Sequence, residues 1–301
     1  MNLNLFDSDF SYAPSYKEAA LMCGLRNKKD YHLIFPPKNT RWTCREMVSD
    51  VPTVFTDVFL TNRNLVRSVS SPVKIAWLLE SILVRPNLYK DIMSVEDEFD
   101  LIFTYNFDLL KRNPQKYKFF PADSVCIEEV AHGVKEKTKL ISMIYSNKGE
   151  GDRPIRHRIA DMFYDKIDLF GSGSAGGLTD KKSDTLVDYC FSIAIENCIC
   201  DGYYTEKILD CFITGNIPVY RGTDRIRDFF DDRGILFWNT KSELKEILES
   251  LTFETYRSML PFVKTNYELA KRYVEPDDSL SYLINKCTED LSYDTRKYYE
   301  K

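Results

Sequence analysis

The stretch FSIAIENCICDGYYTEKILDCFITGNIPVYRG, residues 191–222, holds the densest set of groups able to do chemistry. An apolar run ends in Glu196-Asn197, and a turn containing Asp201-Gly202 comes next. Thr205 then stands as N-cap to a helix whose first turn carries Glu206 and Lys207. Ile208, Leu209, Phe212 and Ile213 supply its buried stripe. The pattern puts Asn197, Tyr203, Glu206 and Lys207 at the C-terminal edge of a sheet, where α/β proteins bind ligands. A lysine beside a helix N-terminus suits an anion such as a diphosphate, and a carboxylate there suits ribose or sugar hydroxyls. Arg156 follows Pro154 at another helix start, where a guanidinium can fork onto phosphate oxygens. By pattern alone, the same residues also describe capped helices with charged faces.

Other candidates are weaker. The loop GSGSAGG contains G-x-G-x-x-G through Gly171, Gly173 and Gly176, the dinucleotide spacing. That fingerprint should open an apolar helix, whereas the next residues are the polar LTDKKSD, so the segment reads as a loop. Asp7-Ser8-Asp9 matches a D-x-D but has no strand before it, and reads as a turn. Glu128, Glu129 and His132 fit one helix face without the second histidine of H-E-x-x-H, and His32 and His157 are isolated. No metal site is expected. The eight cysteines are scattered, with Cys198-x-Cys200 lacking a partner pair at zinc spacing, and read as reduced packing thiols.

Positioning these groups takes alternating strands and helices. Strand-like runs lie at 31–35, 51–55, 73–79, 101–106 and 117–120, and again at 139–146, 166–171, 189–197, 217–222 and 235–239. Helical patterns cover 83–99, 107–113, 155–165, 205–215, 241–251 and long segments to about 290; residues 291–301 look like a polar tail. Continuous apolar strands alternating with helices argue parallel sheets covered on both faces. The charged run at 125–139 marks a junction, giving two α/β lobes at 1–136 and 137–301, with the final helices able to pack back on the first.

The 301 residues are 44% hydrophobic and 29% charged, a globular composition for about two domains. A net charge of −5 excludes the global basic footprint of a nucleic-acid binder. The N-terminus lacks the basic and apolar regions of a signal peptide, and no apolar run reaches membrane-spanning length, so a soluble cytoplasmic protein with no membrane anchor is expected.

Residues 195–222 resemble the C-terminal signature of the α1,3-fucosyltransferases, glycosyltransferase family ten. The matching motifs are Glu196-Asn197, Tyr203-Tyr204-Thr205-Glu206-Lys207 and Ile217-Pro218-Val219-Tyr220. The likeness extends upstream through SNKGEGDRPIRHRIADMF and KIDLFGSG to IAWLLESI and FDLIFTYNFDLL, covering about residues 74–238. It departs from the family at Ile82, where Glu-Ser-Pro is usual. The resemblance implies a GT-B-like α/β fold, two Rossmann-like lobes facing a cleft, the first lobe binding acceptor and the second nucleotide sugar. It implies an inverting transfer of fucose from GDP-fucose to a glycan hydroxyl, with Glu80 as general base. Arg156, Glu196, Asn197, Tyr203, Glu206 and Lys207 would bind the donor, with no cofactor required and metal not essential. The expected partners are therefore a nucleotide sugar and a glycan acceptor, not nucleic acid. Two alternatives stand beside it: a non-catalytic nucleotide- or glycan-binding protein, and an NAD(P)-dependent oxidoreductase using the glycine loop.

Overall fold

The structure is a computed structural model and describes residues 1–7, 37–146, 153–174, 177, 179 and 181–301. The strand expected at 31–35, Ser8-Asp9 of the D-x-D, Cys23, His32, Gly176 and residues 147–152 lie outside those residues. The chain divides into two compact units, one of Met1–Ala122 with Glu275–Tyr298, the other of Asp123–Val274 with Tyr299–Lys301.

The described residues of the first unit form a parallel sheet of β1 (Asn2–Phe6), β2 (Arg41–Cys44), β3 (Thr53–Phe55), β4 (Lys74–Trp77), β5 (Leu101–Thr104) and β6 (Tyr117–Phe119). Their spatial order is β2-β1-β3-β4-β5-β6. Helices α1 (Arg63–Ser68), α2 (Pro86–Val95) and α3 (Phe107–Arg112) connect them. Strand interiors such as Leu3, Leu5, Val54, Ile75 and Phe103 have no exposure, as both-faced burial requires.

β1 has no counterpart among the expected strands, and it precedes Asp7 directly, so the D-x-D does have a strand before it. Its sequence NLNLF looks half polar. Buried Asn4 resolves this by donating to Glu46 O at 2.8 Å and Thr53 Oγ1 at 3.1 Å, and accepting from the Glu46 N–H at 2.9 Å. The helix Pro276–Glu289 belongs to this unit. Its Asp278 accepts from the backbone N–H groups of Lys38 (2.9 Å) and Asn39 (3.1 Å), and Ser281 shares a 2.6 Å bond with Thr40.

The second unit carries β7 (Lys139–Ile144), β8 (Asp168–Phe170), β9 (Tyr189–Ile195), β10 (Ile217–Arg221) and β11 (Leu236–Phe237), parallel in the order β11-β10-β9-β7-β8. Its helices are α4 (Arg153–Met162), α5 (Glu206–Ile213), α6 (Ile226–Phe229), α7 (Lys241–Ser250) and α8 (Phe253–Ala270). Every residue of β9 is buried. On α5 the stripe Ile208, Leu209, Phe212 and Ile213 is at most 1% exposed, and burial of such side chains stabilises by about 1.5–3 kcal/mol each. Gly215 ends α5 at φ +73, and a Cβ there would meet Val134 Cα at 2.8 Å, so glycine is required on both counts.

The unit division falls at 122/123 rather than inside the charged run. That run is docked, not a linker. The Val125 N–H donates to Tyr273 O, and Lys137 is buried with its ammonium on Val187 O at 2.8 Å and Thr214 O at 2.7 Å. Burial pushes the Lys137 amine down to about 8. The expected polar tail is likewise packed: Thr295 and Tyr299 are 1% exposed, and Tyr299 lies against Tyr273 with ring centroids 5.0 Å apart.

Candidate functional site

In the second sheet, the chain runs outward from β7 to β8 and then returns to the other side of β7 as β9. That reversal leaves a crevice at the C-terminal ends of β7 and β9, the usual ligand position in such sheets. A cavity of about 360 Å³ opens there, within the size range of small-molecule sites. Arg156, Asn197, Glu206 and Lys207 all line it, together with Tyr145, Ser146, Ser172, Lys182 and Asp210.

Local sequence explains the convergence. The first turns of α4 and α5 both come after strand ends, so Arg156 and Lys207 reach the same space. Arg156 is 6% exposed and donates to Ile195 O and to Asn197 Oδ1 at 2.8 Å. Thr205 caps α5, and Lys207 Nζ lies 2.9 Å from Thr205 Oγ1 and 3.1 Å from Glu206 Oε1. Burial works against the Lys207 ammonium, but Glu196 and Glu206 outweigh it and raise its pKa. A guanidinium and an ammonium beside a helix N-terminus are groups whose chemistry suits an anion.

Glu196 is part of the frame rather than the lining. Its carboxylate has no exposure and accepts from the Thr205 N–H at 2.9 Å and Thr205 O–H at 2.8 Å. It therefore braces the turn and the start of α5. Burial raises its pKa, opposed by Lys207. Tyr203 is also buried and is not among the lining residues.

Sequence reasoning missed the acidic and basic partners behind Glu206. Asp123 pairs with Glu206; burial, then the Glu206 charge, pushes the Asp123 carboxyl well above the usual carboxylate range. Burial alone would raise Glu206, but Lys207 and then Lys182 hold it well below the usual carboxylate range. Lys182 Nζ lies 2.6 Å from Asp210 Oδ2. Burial pushes Asp210 up to about 6 against that lysine. The available signal was Lys181-Lys182 in the polar segment after the glycine loop.

That loop has a packing role. Gly171 sits at φ +98, and a Cβ there would come within 2.3 Å of Tyr145 O; a Cβ on Gly173 would come within 2.5 Å of the Tyr145 ring. The loop thus closes on the end of β7. It leads into the single 3₁₀ turn Lys182–Thr185, not into a dinucleotide-binding helix. His157 packs edge-on against Tyr145 and pairs with Ser146 O at 3.1 Å, supporting the same wall. Glu128 and His132 do not converge: Glu128 accepts from the Ser183 hydroxyl, and His132 Nε2 pairs with Ile127 O. Among the described residues, no group of three His, Cys, Asp or Glu side chains could hold a metal ion. No helix of the described residues is long and apolar enough to cross a membrane.

Glu80 belongs to the first unit, three residues beyond β4, and is exposed. Two buried tyrosines hold the segment that carries it: the Tyr89 O–H donates to Glu80 O at 2.5 Å, and Tyr105 Oη accepts from the Ile82 N–H at 3.0 Å. A proline at 82 could not donate that second bond.

Residues 134–261 match the family described as glycosyltransferase family 10 (fucosyltransferase) C-terminal. The chain is 29% identical over 104 residues to alpha-(1,3)-fucosyltransferase FucT of Helicobacter pylori, covering 33% of this chain and 21% of that protein. It is 27% identical over 132 residues to 4-galactosyl-N-acetylglucosaminide 3-alpha-L-fucosyltransferase 9 of Bos taurus, covering 44% and 35%. The matches thus span about a fifth and a third of these relatives' lengths. A crystal structure of an α1,3-fucosyltransferase with GDP superposes with TM-score 0.52 at 15% identity, covering 96% of this chain and 90% of that one. This likeness carries the fold, GT-B-like α/β with two mostly parallel sheets. Arg156, Asn197, Glu206 and Lys207 all lie inside the segment, residues 134–261, that is similar to the glycosyltransferase family 10 C-terminal domain.

Proposed function

We propose that this protein is an inverting glycosyltransferase that moves fucose from GDP-fucose to a glycan hydroxyl. The observation that carries this reading is the meeting of Arg156 and Lys207 in one pocket at the β7/β9 reversal, within the family-matched segment. The structure of like fold that contains GDP supports the choice of nucleotide.

Arg156 and Lys207 hold the diphosphate, and Glu206 faces the ribose hydroxyls. Asn197, oriented by its bond to Arg156, fixes the donor beside them. The acceptor oxygen attacks C1 of the sugar on the face opposite the diphosphate. The C1–O bond breaks, its electron pair leaves with GDP, and Glu80 takes the acceptor proton. The growing charge on the diphosphate is met by two cations already in place, which is the form of stabilisation most effective in a preorganised site. A metal ion is not required for that step. The first unit would bind the acceptor.

Saturation-transfer NMR with GDP-, UDP-, CMP- and dTDP-sugars tests the donor. GDP-fucose is expected to give the strongest transfer, and NMR of the product to show an inverted anomeric centre. Preference for another nucleotide, or a retained anomer, overturns the reading.

A further inference from the structure

Lys182 is the pocket cation that the proposed reaction leaves without a task. Its Nζ lies 2.6 Å from Asp210 Oδ2 and 3.9 Å from Glu206 Oε1. Asp210 is itself a fixed post: it is 1% exposed and its Oδ1 accepts from the Cys126 N–H at 2.7 Å. The ammonium is therefore held in place, yet a third of the Lys182 side chain stays exposed and lines the cavity.

The order of groups matters. Lys207 Nζ lies 3.1 Å from Glu206 Oε1, whereas Lys182 Nζ stands 3.9 Å from that oxygen and 2.6 Å from Asp210, one helical turn further along α5. If Lys207 and Arg156 hold the diphosphate and Glu206 the ribose, the base comes to rest against Lys182. Leu186, Ile193 and Met143 line the same cavity and offer apolar surface to a ring. An ammonium has donors and no acceptor. It favours a base edge made of acceptors, such as O6 and N7 of guanine, and disfavours the exocyclic amino group that adenine presents there.

We propose that Lys182, held by Asp210, is a base-specificity residue that selects 6-oxopurine over 6-aminopurine nucleotides. This rests on the donor site proposed above. Calorimetry with GDP, IDP, ADP and pyrophosphate on the wild type, Lys182→Met and Lys182→Arg tests it. IDP keeps O6 and N7 but lacks the 2-amino group, so it separates Lys182 from any group reading that amine.

The wild type should bind GDP and IDP within about threefold of each other and at least about tenfold more tightly than ADP. Lys182→Met should bring GDP to within about threefold of ADP while pyrophosphate affinity stays unchanged, and Lys182→Arg should keep the preference. Lys182→Met leaves the Asp210 charge buried, so Lys182→Met/Asp210→Asn, with thermal unfolding monitored, guards against a folding defect; it should show the same loss of preference. An unchanged GDP-to-ADP ratio in the folded variants, or IDP binding as weakly as ADP to the wild type, overturns the proposal. A wild type that binds neither GDP nor pyrophosphate overturns the donor site itself, and this inference with it.

Discussion

In their described residues the two units are built alike, as parallel sheets with one reversal of strand order, and they differ in what stands at that reversal. In the second unit the β7/β9 ends open on a cavity where Arg156, Lys182 and Lys207 interleave with Glu206 and Asp210. In the first unit the reversal lies between β1 and β3, where the Thr56 hydroxyl donates to the Asp7 carboxylate and Arg45 donates to Asp7 O. Glu80, the expected base, stands elsewhere, beyond β4, positioned through its backbone and with its side chain exposed. A site for a highly charged ligand needs countercharges fixed before the ligand arrives, and those leave a dense network. A single proton acceptor needs only placement and access.

The sharpest way to break this contrast is Glu80→Gln. It should lower kcat by about 10²–10⁴-fold, the usual worth of a positioned base, with GDP affinity unchanged because Glu80 does not line the donor pocket. Single-turnover kinetics with acceptor, beside GDP calorimetry, checks both halves; near-normal kcat would move the base to another residue.

Buried charge in the first unit is open to a stability test. Burial pushes the Asp277 carboxyl up to about 7 from its ordinary 3.8. The native state then keeps a proton that the unfolded chain loses above about pH 4. This group's contribution to stability therefore falls as pH rises from about 4 through about 7. Asp277→Asn should gain nothing near pH 4 and up to about 4 kcal/mol above pH 7. Thermal unfolding across that range measures it, and a gain that does not grow with pH contradicts it.

In the second unit, Glu196→Gln presents an amide N–H₂ where Thr205 now donates. It should cost about 1–3 kcal/mol in chemical denaturation. It should also weaken GDP by loosening the start of α5. Intact stability would mean that Glu196 does not brace the turn. The smallest expected effect is that of EDTA. With Arg156 and Lys207 meeting the leaving diphosphate, activity should persist; loss restored by Mn²⁺ or Mg²⁺ would reveal a metal step.

Legibility in the sequence divides along the same line. The strands of the second unit are continuous apolar runs, and the cap, first-turn charges and stripe of α5 are local signals, so β9, α5 and the meeting of Asn197, Glu206 and Lys207 were readable. Asp123, Lys182 and Asp210 were not, because their pairing depends on contacts 28 to 84 residues apart in sequence that no local pattern encodes. β1 was hidden because Asn4 looks like a surface residue until its three bonds to Glu46 and Thr53 are seen. The charged run before β7 read as a junction because a buried Lys137 is rare, and becomes possible only with two backbone carbonyls waiting for it.

The central claim is that Arg156 and Lys207 form the grip on a nucleoside diphosphate. Calorimetric titration of GDP into the wild type, Arg156→Ala and Lys207→Ala tests it most directly. Each substitution removes a charge-assisted contact worth about 1.5–3 kcal/mol, so each should weaken GDP by roughly tenfold or more. Unchanged GDP affinity in both folded variants would contradict the account.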